Sequence, residues 1–205
     1  LYEAKMFWQY DHRHGTFEGV ENRDNTSLPS PSIDQKKNQQ YIILPGYWIN
    51  FKEIESELKN QSGFLVFRRV SNSTNERTIV SAIIPQTPVN DKGVVIHTNQ
   101  IVLNRCCLLA NLNSFAFDYI ARKKVGGTQV DFFIMKQLPL FPPKTYLPSL
   151  INYITPRTIE LTYTAWDLEP FAREVFKEVG REKWNAWFPL NPVGADGHLA
   201  PFIWD

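Results

Sequence analysis

The stretch at residues 122–128, RKKVGGT, combines the residue types that hold a polyanion. Its candidate contacts are Lys123, Lys124, Gly126, Gly127 and Thr128, which follow the basic residue Arg122. Lysine and arginine neutralise phosphates, glycine lets the backbone approach another surface closely, and threonine adds a hydroxyl group. The stretch therefore suits a loop that lies against DNA. The same cations also suit the end of a helix, where they stabilise the helix dipole, and the residues alone favour the two interpretations equally.

A second candidate is the polar segment SNSTNER, at residues 71–77, which separates two β-rich runs. The side chains in and beside it that could contact DNA are Arg68, Arg69, Asn72, Ser73, Asn75 and Arg77. Arginine can pair with guanine and asparagine with adenine, and each such pair gives roughly 1–3 kcal/mol of discrimination. Two plainer interpretations stay open. The segment suits a solvated turn, and Glu76 with Arg77 suits an internal salt bridge that braces the hairpin.

Catalytic interpretations find little support in the sequence. It contains no phosphate-binding glycine loop, no dinucleotide fingerprint and no nucleophile elbow. Glu3 and Lys5 match half of a metal-dependent nuclease site, but matches of three residues are common by chance. His12 and His14 could share one face of a strand, yet no third metal ligand has suitable spacing. We expect neither catalysis nor metal binding from these residues.

Composition places further limits on function. The 205 residues carry a net charge of +1, so any nucleic-acid contact must come from local patches. Such a patch exists at residues 101–136, where the basic residues outnumber the acidic ones. The basic residues there are Arg105, Arg122, Lys123, Lys124 and Lys136, and the acidic ones are Asp118 and Asp131. The nearly neutral total therefore conceals a local positive excess.

Cys106 and Cys107 are adjacent in an apolar run, which predicts reduced, buried cysteines. No apolar stretch reaches the roughly 20 residues of a membrane span, and the first residues resemble no signal peptide. We therefore expect a cytoplasmic protein without membrane partners. The chain starts without Met and stops soon after two aromatic residues, so we also expect a piece of a longer protein.

The periodicity predicts an α+β fold with a mixed sheet, a hairpin and packed helices. In the first half of the chain, the predicted strands are residues 2–6, 41–49 (broken at Pro45-Gly46), 64–70, 78–84 and 93–103, and the predicted helix is residues 51–60. Residues 64–70 and 78–84 should pair as the hairpin that carries SNSTNER.

In the second half, we predict a helix at residues 104–124, a strand at 130–135 and a helical tail at 156–184 that is interrupted near Pro170. The first helix should place Leu108, Leu112, Phe115 and Tyr119 on one apolar side, and the glycines should end it. In the tail, the aromatic residues Tyr163, Trp166 and Phe171 should serve packing rather than base stacking.

Several long segments resemble, in the same order, the C-terminal region of large bacterial DNA adenine methyltransferases of the type IIG and BREX-like kinds. They are LYEAKMFWQYDHR (1–13), FRRVSNSTNERTIVSAIIP (67–85), LLANLNSFAFDYIARKKVGGTQVDFFIMKQLPLFPP (108–143) and ELTYTAWDLEPFAR (160–173). The third segment looks like the target-recognition domain that TaqI-like methylases share with type I specificity subunits. The resemblance covers nearly the whole chain.

This resemblance implies a division of labour. The family's methyl transfer needs S-adenosylmethionine and an Asn-Pro-Pro-Tyr/Phe motif, and residues 191–194 (NPVG) are no substitute for that motif. The chain would then be the part that recognises double-stranded DNA, with no cofactor of its own. A methyltransferase domain N-terminal to it in the same bacterial or archaeal parent chain would flip and methylate the adenine. We expect the DNA-recognition domain to be residues 1–150, with residues 151–205 as a helical extension packed on it.

Two other hypotheses stay open. The same surface could belong to a protein-interaction module that docks a partner subunit or domain, and the modest net charge favours this alternative. A nuclease that uses Glu3 and Lys5 is the third hypothesis.

Overall fold

The chain folds into an α+β arrangement around an antiparallel sheet. The computed structural model describes residues 1–22, 27–50, 52 and 61–203. Within them, the strands are β1 (Phe64–Arg68), β2 (Ser81–Ile84) and β3 (Gly93–Val95), in the order β2-β1-β3. β1 pairs with both neighbours. The hairpin predicted from the sequence is therefore confirmed, and β3 corresponds to the start of the strand predicted at residues 93–103.

Both faces of this sheet are covered. Successive strand residues point to opposite faces, so Phe64 and Val66 pack on one side with the N-terminal segment. Leu65 and Phe67 pack on the other side, in the core that the later helices share. The apolar run of β1 is continuous rather than alternating because it is buried on both sides.

The helices within the described residues lie mostly in the second half of the chain. They are α1 (Ile33–Lys37), α2 (Val102–Leu112), α3 (Phe115–Lys124), α4 (Phe132–Met135), α5 (Pro148–Thr162) and α6 (Glu169–Trp187). The tail is helical and interrupted where we predicted, by a 3-10 turn at Trp166–Leu168. Gly180, with a φ of 78°, kinks α6.

The single helix predicted at residues 104–124 is wrong. The chain breaks after Leu112, and the Ser114 hydroxyl group accepts the Phe117 backbone N–H and so caps a second helix. Such a local side-chain bond competes with helix continuation. The break turns α3, so Phe115 and Tyr119 lie on its surface, 84% and 63% exposed, instead of on an apolar side shared with Leu112.

The strand predicted at residues 130–135 is also wrong. Asp131 starts the short helix α4, because its carbonyl group accepts the N–H groups of Ile134 and Met135. Only Gln129, just before it, forms an isolated β-bridge, with Val70. The aromatic pair at residues 132–133 is exposed, so no sheet neighbour holds this segment extended.

Two N-terminal strand predictions are wrong as well. Ala4–Met6 forms a 3-10 turn, and only Tyr2 bridges another segment, at Val89. Residues 41–50 form no strand, although Ile43 is buried. The helix predicted at residues 51–60 lies outside the described residues, except for Lys52.

The tail shares the main core with the sheet and α2. Ile159, Tyr163 and Phe171 are fully buried there, and Trp166 packs edge-on against Tyr163, which confirms the packing role predicted for these aromatics.

Residues 106–107, the two cysteines, are free and buried as predicted. The domain boundary expected at residue 150 falls inside α5. Among the described residues, no helix is both long and apolar enough to cross a membrane.

Candidate nucleic-acid interface

The hairpin loop at residues 71–77 and the glycine loop at residues 125–129 lie side by side. The Ser71 backbone N–H donates to the Thr128 carbonyl group over 3.0 Å, and the Val130 N–H donates to the Arg69 carbonyl group over 2.7 Å. At each end of the glycine loop a buried valine, Val125 or Val130, anchors it in the core. The two segments proposed separately from the sequence are therefore adjacent in the fold.

An internal hydrogen-bond network shapes the hairpin loop. The side-chain oxygen of Asn72 accepts the backbone N–H groups of Thr74 and Asn75, each over 2.9 Å, and the Thr74 hydroxyl group over 2.7 Å. This is the turn that asparagine forms with the backbone two residues ahead. Asn72 is thereby committed to the loop, Ser73 is half-buried, and Thr74 and Asn75 are exposed.

Arg77 turns inward rather than outward. Its side chain is buried, it donates a hydrogen bond to the Asn113 carbonyl group, and its guanidinium carbon lies 4.4 Å from the centre of the Phe115 ring. The bracing role considered for Arg77 is thus present, but through Asn113. The Glu76 backbone carbonyl group instead accepts a hydrogen bond from Arg122 over 2.8 Å.

Helix α3 is fastened to the hairpin by two buried polar residues that sequence reasoning missed. One Asp118 carboxylate oxygen accepts the backbone N–H groups of Thr78 and Ile79, each over 2.8 Å, and the other pairs with Arg122 at 3.1 Å. The Asn113 amide group pairs with both backbone groups of Ser81. The signal available in the sequence was the polar Asn113-Ser114 pair inside an apolar helical pattern.

The two arginines at the end of β1 are engaged internally. Arg68 donates to the Phe7 carbonyl group and lies 4.6 Å from the Trp8 ring centre. Burial lowers the pKa of Arg68 to about 10, so it remains a cation at neutral pH. Arg69 forms an ion pair with Asp131 at 2.9 Å. Both side chains are half-buried.

The glycine loop faces outward. Lys123, Lys124 and residues 126–128 are exposed, and within the described part of the chain no carboxylate lies at ion-pair distance from either lysine. The loop borders a groove of about 440 Å³. Its lining includes Lys124, Gly126, Gly127, Thr128, Gln129, Asp131 and Phe133.

The fold itself does not require glycine at residues 126 and 127. Neither Gly126 nor Gly127 has a positive φ, and a Cβ atom added to either would meet nothing within 4 Å. Glycine in such a place lowers stability because the unfolded chain gains conformational freedom. Close approach by an outside surface is one function that glycine can serve at such a place.

Comparison of the chain with family models, curated proteins and solved structures finds no match. The resemblance to adenine methyltransferases therefore stays a proposal, and the geometry of the two loops carries the functional argument.

The alternative sites considered from the sequence have structural partners. Glu3 and Lys5 lie 3.7 Å apart in the N-terminal 3-10 turn. His12 is buried and its Nε2 atom lies 2.9 Å from Asp167, while His14 stacks on Trp8 with ring centres 5.3 Å apart. Within the described residues, no group of three or more His, Cys, Asp or Glu side chains could hold a metal ion.

Residues 11–14 (DHRH) instead form a structural centre around Arg13. This guanidinium group, only 1% exposed, donates to the backbone carbonyl groups of Lys36, Asn38, Tyr41 and Thr164. Burial acts to raise the pKa of the nearby Asp167 carboxyl group, but His12, Arg13 and a backbone hydrogen bond together outweigh burial and hold that pKa below its usual value. This cluster joins the N-terminal segment, residues 36–41 and the helical tail.

Proposed function

We propose that the chain binds double-stranded DNA through the hairpin loop and the glycine loop, as the recognition part of an adenine-specific DNA methyltransferase. The observation that carries this proposal is the pairing of the two loops by the Ser71–Thr128 and Arg69–Val130 backbone hydrogen bonds. This pairing puts exposed amide, hydroxyl, lysine and glycine groups on one surface, which is the composition that phosphate and base-edge contacts need.

The support beneath the loops favours binding without reorganisation. Asp118, Asn113 and Arg77 fix α3 against the hairpin from below, so the exposed groups above them are held in place. A surface that is ordered before binding loses less conformational entropy when its partner arrives. The buried polar groups thus act as positioning residues for the exposed ones.

The exposed groups fall into two sets, one suited to the sugar-phosphate chain and one suited to base edges. Lys123 and Lys124 would neutralise phosphates, and the backbone at residues 126–128 would approach the sugar-phosphate chain. Thr74 and Asn75, at the tip of the hairpin loop, would extend towards base edges, where asparagine pairs with adenine. Arg68, Arg69, Asn72 and Arg77 would contribute mainly by positioning the surface, because their side chains have internal partners.

The remaining parts of the proposal follow the family resemblance. The arrangement would be a target-recognition domain of the TaqI-like kind, and S-adenosylmethionine would bind in a methyltransferase domain of the parent chain. The net charge of +1 agrees with a module that shares its DNA with such a domain, since alone it offers few phosphate contacts.

A salt titration tests this proposal. The affinity of the chain for a mixed-sequence duplex, measured by fluorescence anisotropy, should fall steeply as salt increases. The K123Q/K124Q variant should bind more weakly and lower the slope of log affinity against log salt by about 2, because each phosphate contact contributes roughly 0.9.

The matched control is K177Q/K183Q, on α6. Lys183 lies 5.2 Å from the Trp187 ring centre, much as Lys123 lies 5.3 Å from that of Tyr119, so the control removes an equal charge and a similar ring contact. Equal effects of the two double variants on the slope would refute a specific role for the glycine loop.

A protein-interaction module is the second candidate function, and one groove favours it. Phe141, Tyr146, Leu150 and Ile154 are among the residues that line an apolar groove of about 400 Å³ beside α2 and α5. A methyltransferase domain or a partner subunit could cover it. Association that persists at high salt, measured by sedimentation, and that weakens in Leu150→Asp would support this function.

A further inference from the structure

An exposed line of side chains runs along α3 beside the two loops. Phe115 is 84% exposed and Tyr119 is 63% exposed. They are four residues apart, and Lys123 follows after four more, so the three side chains share one face of the helix. Two large rings on the surface, next to a cationic loop, are not explained by phosphate contacts.

Each ring on this face has a cation beside it. The Arg77 guanidinium carbon lies 4.4 Å from the Phe115 ring centre, and the Lys123 ammonium nitrogen lies 5.3 Å from that of Tyr119. Beyond the glycine loop, the exposed ring of Phe132 has Arg69 at 5.9 Å. The cations thus accompany rings that are more than half exposed.

We infer that Phe115 and Tyr119 stack on unpaired bases, so that the surface prefers DNA with unstacked nucleotides over a fully paired duplex. Every base presents a flat π face once it leaves the helix, and aromatic side chains bind such faces with little dependence on sequence. Paired bases in an intact duplex hide those faces. The inference rests on the proposed function and names the form of DNA that the same surface takes.

Charge complementarity favours this occupant over an apolar protein surface. Lys123 and Lys124 stand beside the rings without a carboxylate at ion-pair distance among the residues described. A strand with unstacked bases supplies both of the missing partners, a phosphate for each cation and a base for each ring. Helix α3 is also held firmly, since Asp118 joins it to Thr78 and Arg122 joins it to Glu76 of the hairpin loop.

Arg77 has a defined part in this arrangement as a positioning residue. It is buried, is fixed by the Asn113 carbonyl group, and lies against Phe115. The contact would orient the Phe115 ring before DNA arrives, which lowers the entropic cost of stacking.

The test compares three probes bound by the whole 205-residue chain. They are a fully paired duplex, the same duplex with a two-nucleotide bulge that contains 2-aminopurine, and the bulged strand alone. The chain should bind the bulged duplex at least tenfold more tightly than the paired one. It should also quench the 2-aminopurine fluorescence, which falls when the base stacks.

Phe115→Ala and Tyr119→Ala should each weaken binding of the bulged duplex about tenfold and should reduce the quenching, while binding of the paired duplex changes little. Tyr153→Ala is the matched control. Tyr153 is 60% exposed on α5, with Arg157 lying 3.7 Å from its ring centre, and it lies outside the two loops.

Equal affinity for paired and bulged duplexes, or unchanged quenching in both ring variants, would overturn the inference. If binding of the paired duplex still falls with salt and with K123Q/K124Q, the proposed function survives that result. Self-association lost in the ring variants, with DNA binding unchanged, would assign the rings to a protein contact and also overturn the inference. Absence of DNA binding at low salt would remove the inference and the proposed function together.

Discussion

Residues 11–14 (DHRH) and residues 122–128 (RKKVGGT) look alike as sequences, since both are short and rich in charge, but the fold uses them in opposite ways. Arg13 is buried and donates to the carbonyl groups of segments far apart in the chain. Lys123 and Lys124 are exposed, and no internal ion pair engages either of them among the described residues.

The difference lies in where each segment finds its polar partners. A buried guanidinium group must be hydrogen-bonded inside the protein, or its desolvation destabilises the fold. Exposed lysines have water instead and remain available to a partner. The first segment therefore stabilises this fold, whereas the two lysines of the second contribute little to stability and remain available to bind.

The largest expected effect is on stability, at the Arg13 centre. Arg13→Met should lower the free energy of unfolding by roughly 3–5 kcal/mol, because the change leaves several buried carbonyl groups unpaired and removes a cation near Asp11 and Asp167. Denaturant titration followed by tryptophan fluorescence measures this loss. Lys124→Gln should leave the midpoint unchanged, and equal losses in the two variants would erase the contrast between the segments.

A smaller loss is expected beneath the candidate interface. Asp118→Ala removes the acceptor of two backbone N–H groups and the partner of Arg122, so we expect a loss of about 2–3 kcal/mol. Asp118→Asn keeps one acceptor oxygen and should lose less. Asp91→Ala, at an exposed ion pair, is the control and should show no measurable change. An unaffected Asp118→Ala protein would show that α3 does not need this fastening.

The buried centre should also respond to acid. The pKa of Asp167 is held below its usual value of 3.8 in the folded protein. Its contribution to stability is therefore present above that value and is lost as the pH falls through the lower, folded pKa. Melting temperatures between about pH 4 and pH 2 should fall less steeply in Asp167→Asn than in the original chain. Identical slopes would contradict the pairing of Asp167 with His12.

The smallest expected stability effect is at the glycine loop. Gly126→Ala should leave stability unchanged or raise it by about 0.4–1 kcal/mol, because the unfolded chain loses freedom and the added methyl group meets no neighbour. The same variant should weaken DNA binding. Gly197→Ala is the contrasting variant and should destabilise the protein, since Gly197 has a φ of 85°. A destabilised Gly126→Ala protein would give the glycine a structural reason and weaken the binding argument.

Sequence patterns predicted where the elements lie better than they predicted which way the side chains point. The hairpin followed from two β-rich runs around a polar segment, because that signal is local. The break between α2 and α3 did not, since it depends on the Ser114 cap and on Asn113 pairing with Ser81 across the fold. The α4 segment was mistaken for a strand because short apolar runs fit either structure.

In the candidate site, too, the sequence predicted where the loops lie but not which way their side chains point. Both loops were found from composition, and their adjacency agrees with a single binding surface. The inward direction of Arg77 could not be predicted, because its partners, Asn113 and Phe115, are distant in sequence. Polar composition identifies a loop, while burial and hydrogen bonding decide which of its residues remain available.

Hydrogen-deuterium exchange of the chain with and without duplex DNA tests the central claim most directly, because it compares both segments in one measurement. DNA should slow amide exchange at residues 72–76 and 123–129 and leave residues 11–14 unchanged. Protection confined to the apolar groove around Phe141 and Leu150, or no protection at either loop under conditions where the duplex is bound, would contradict the account.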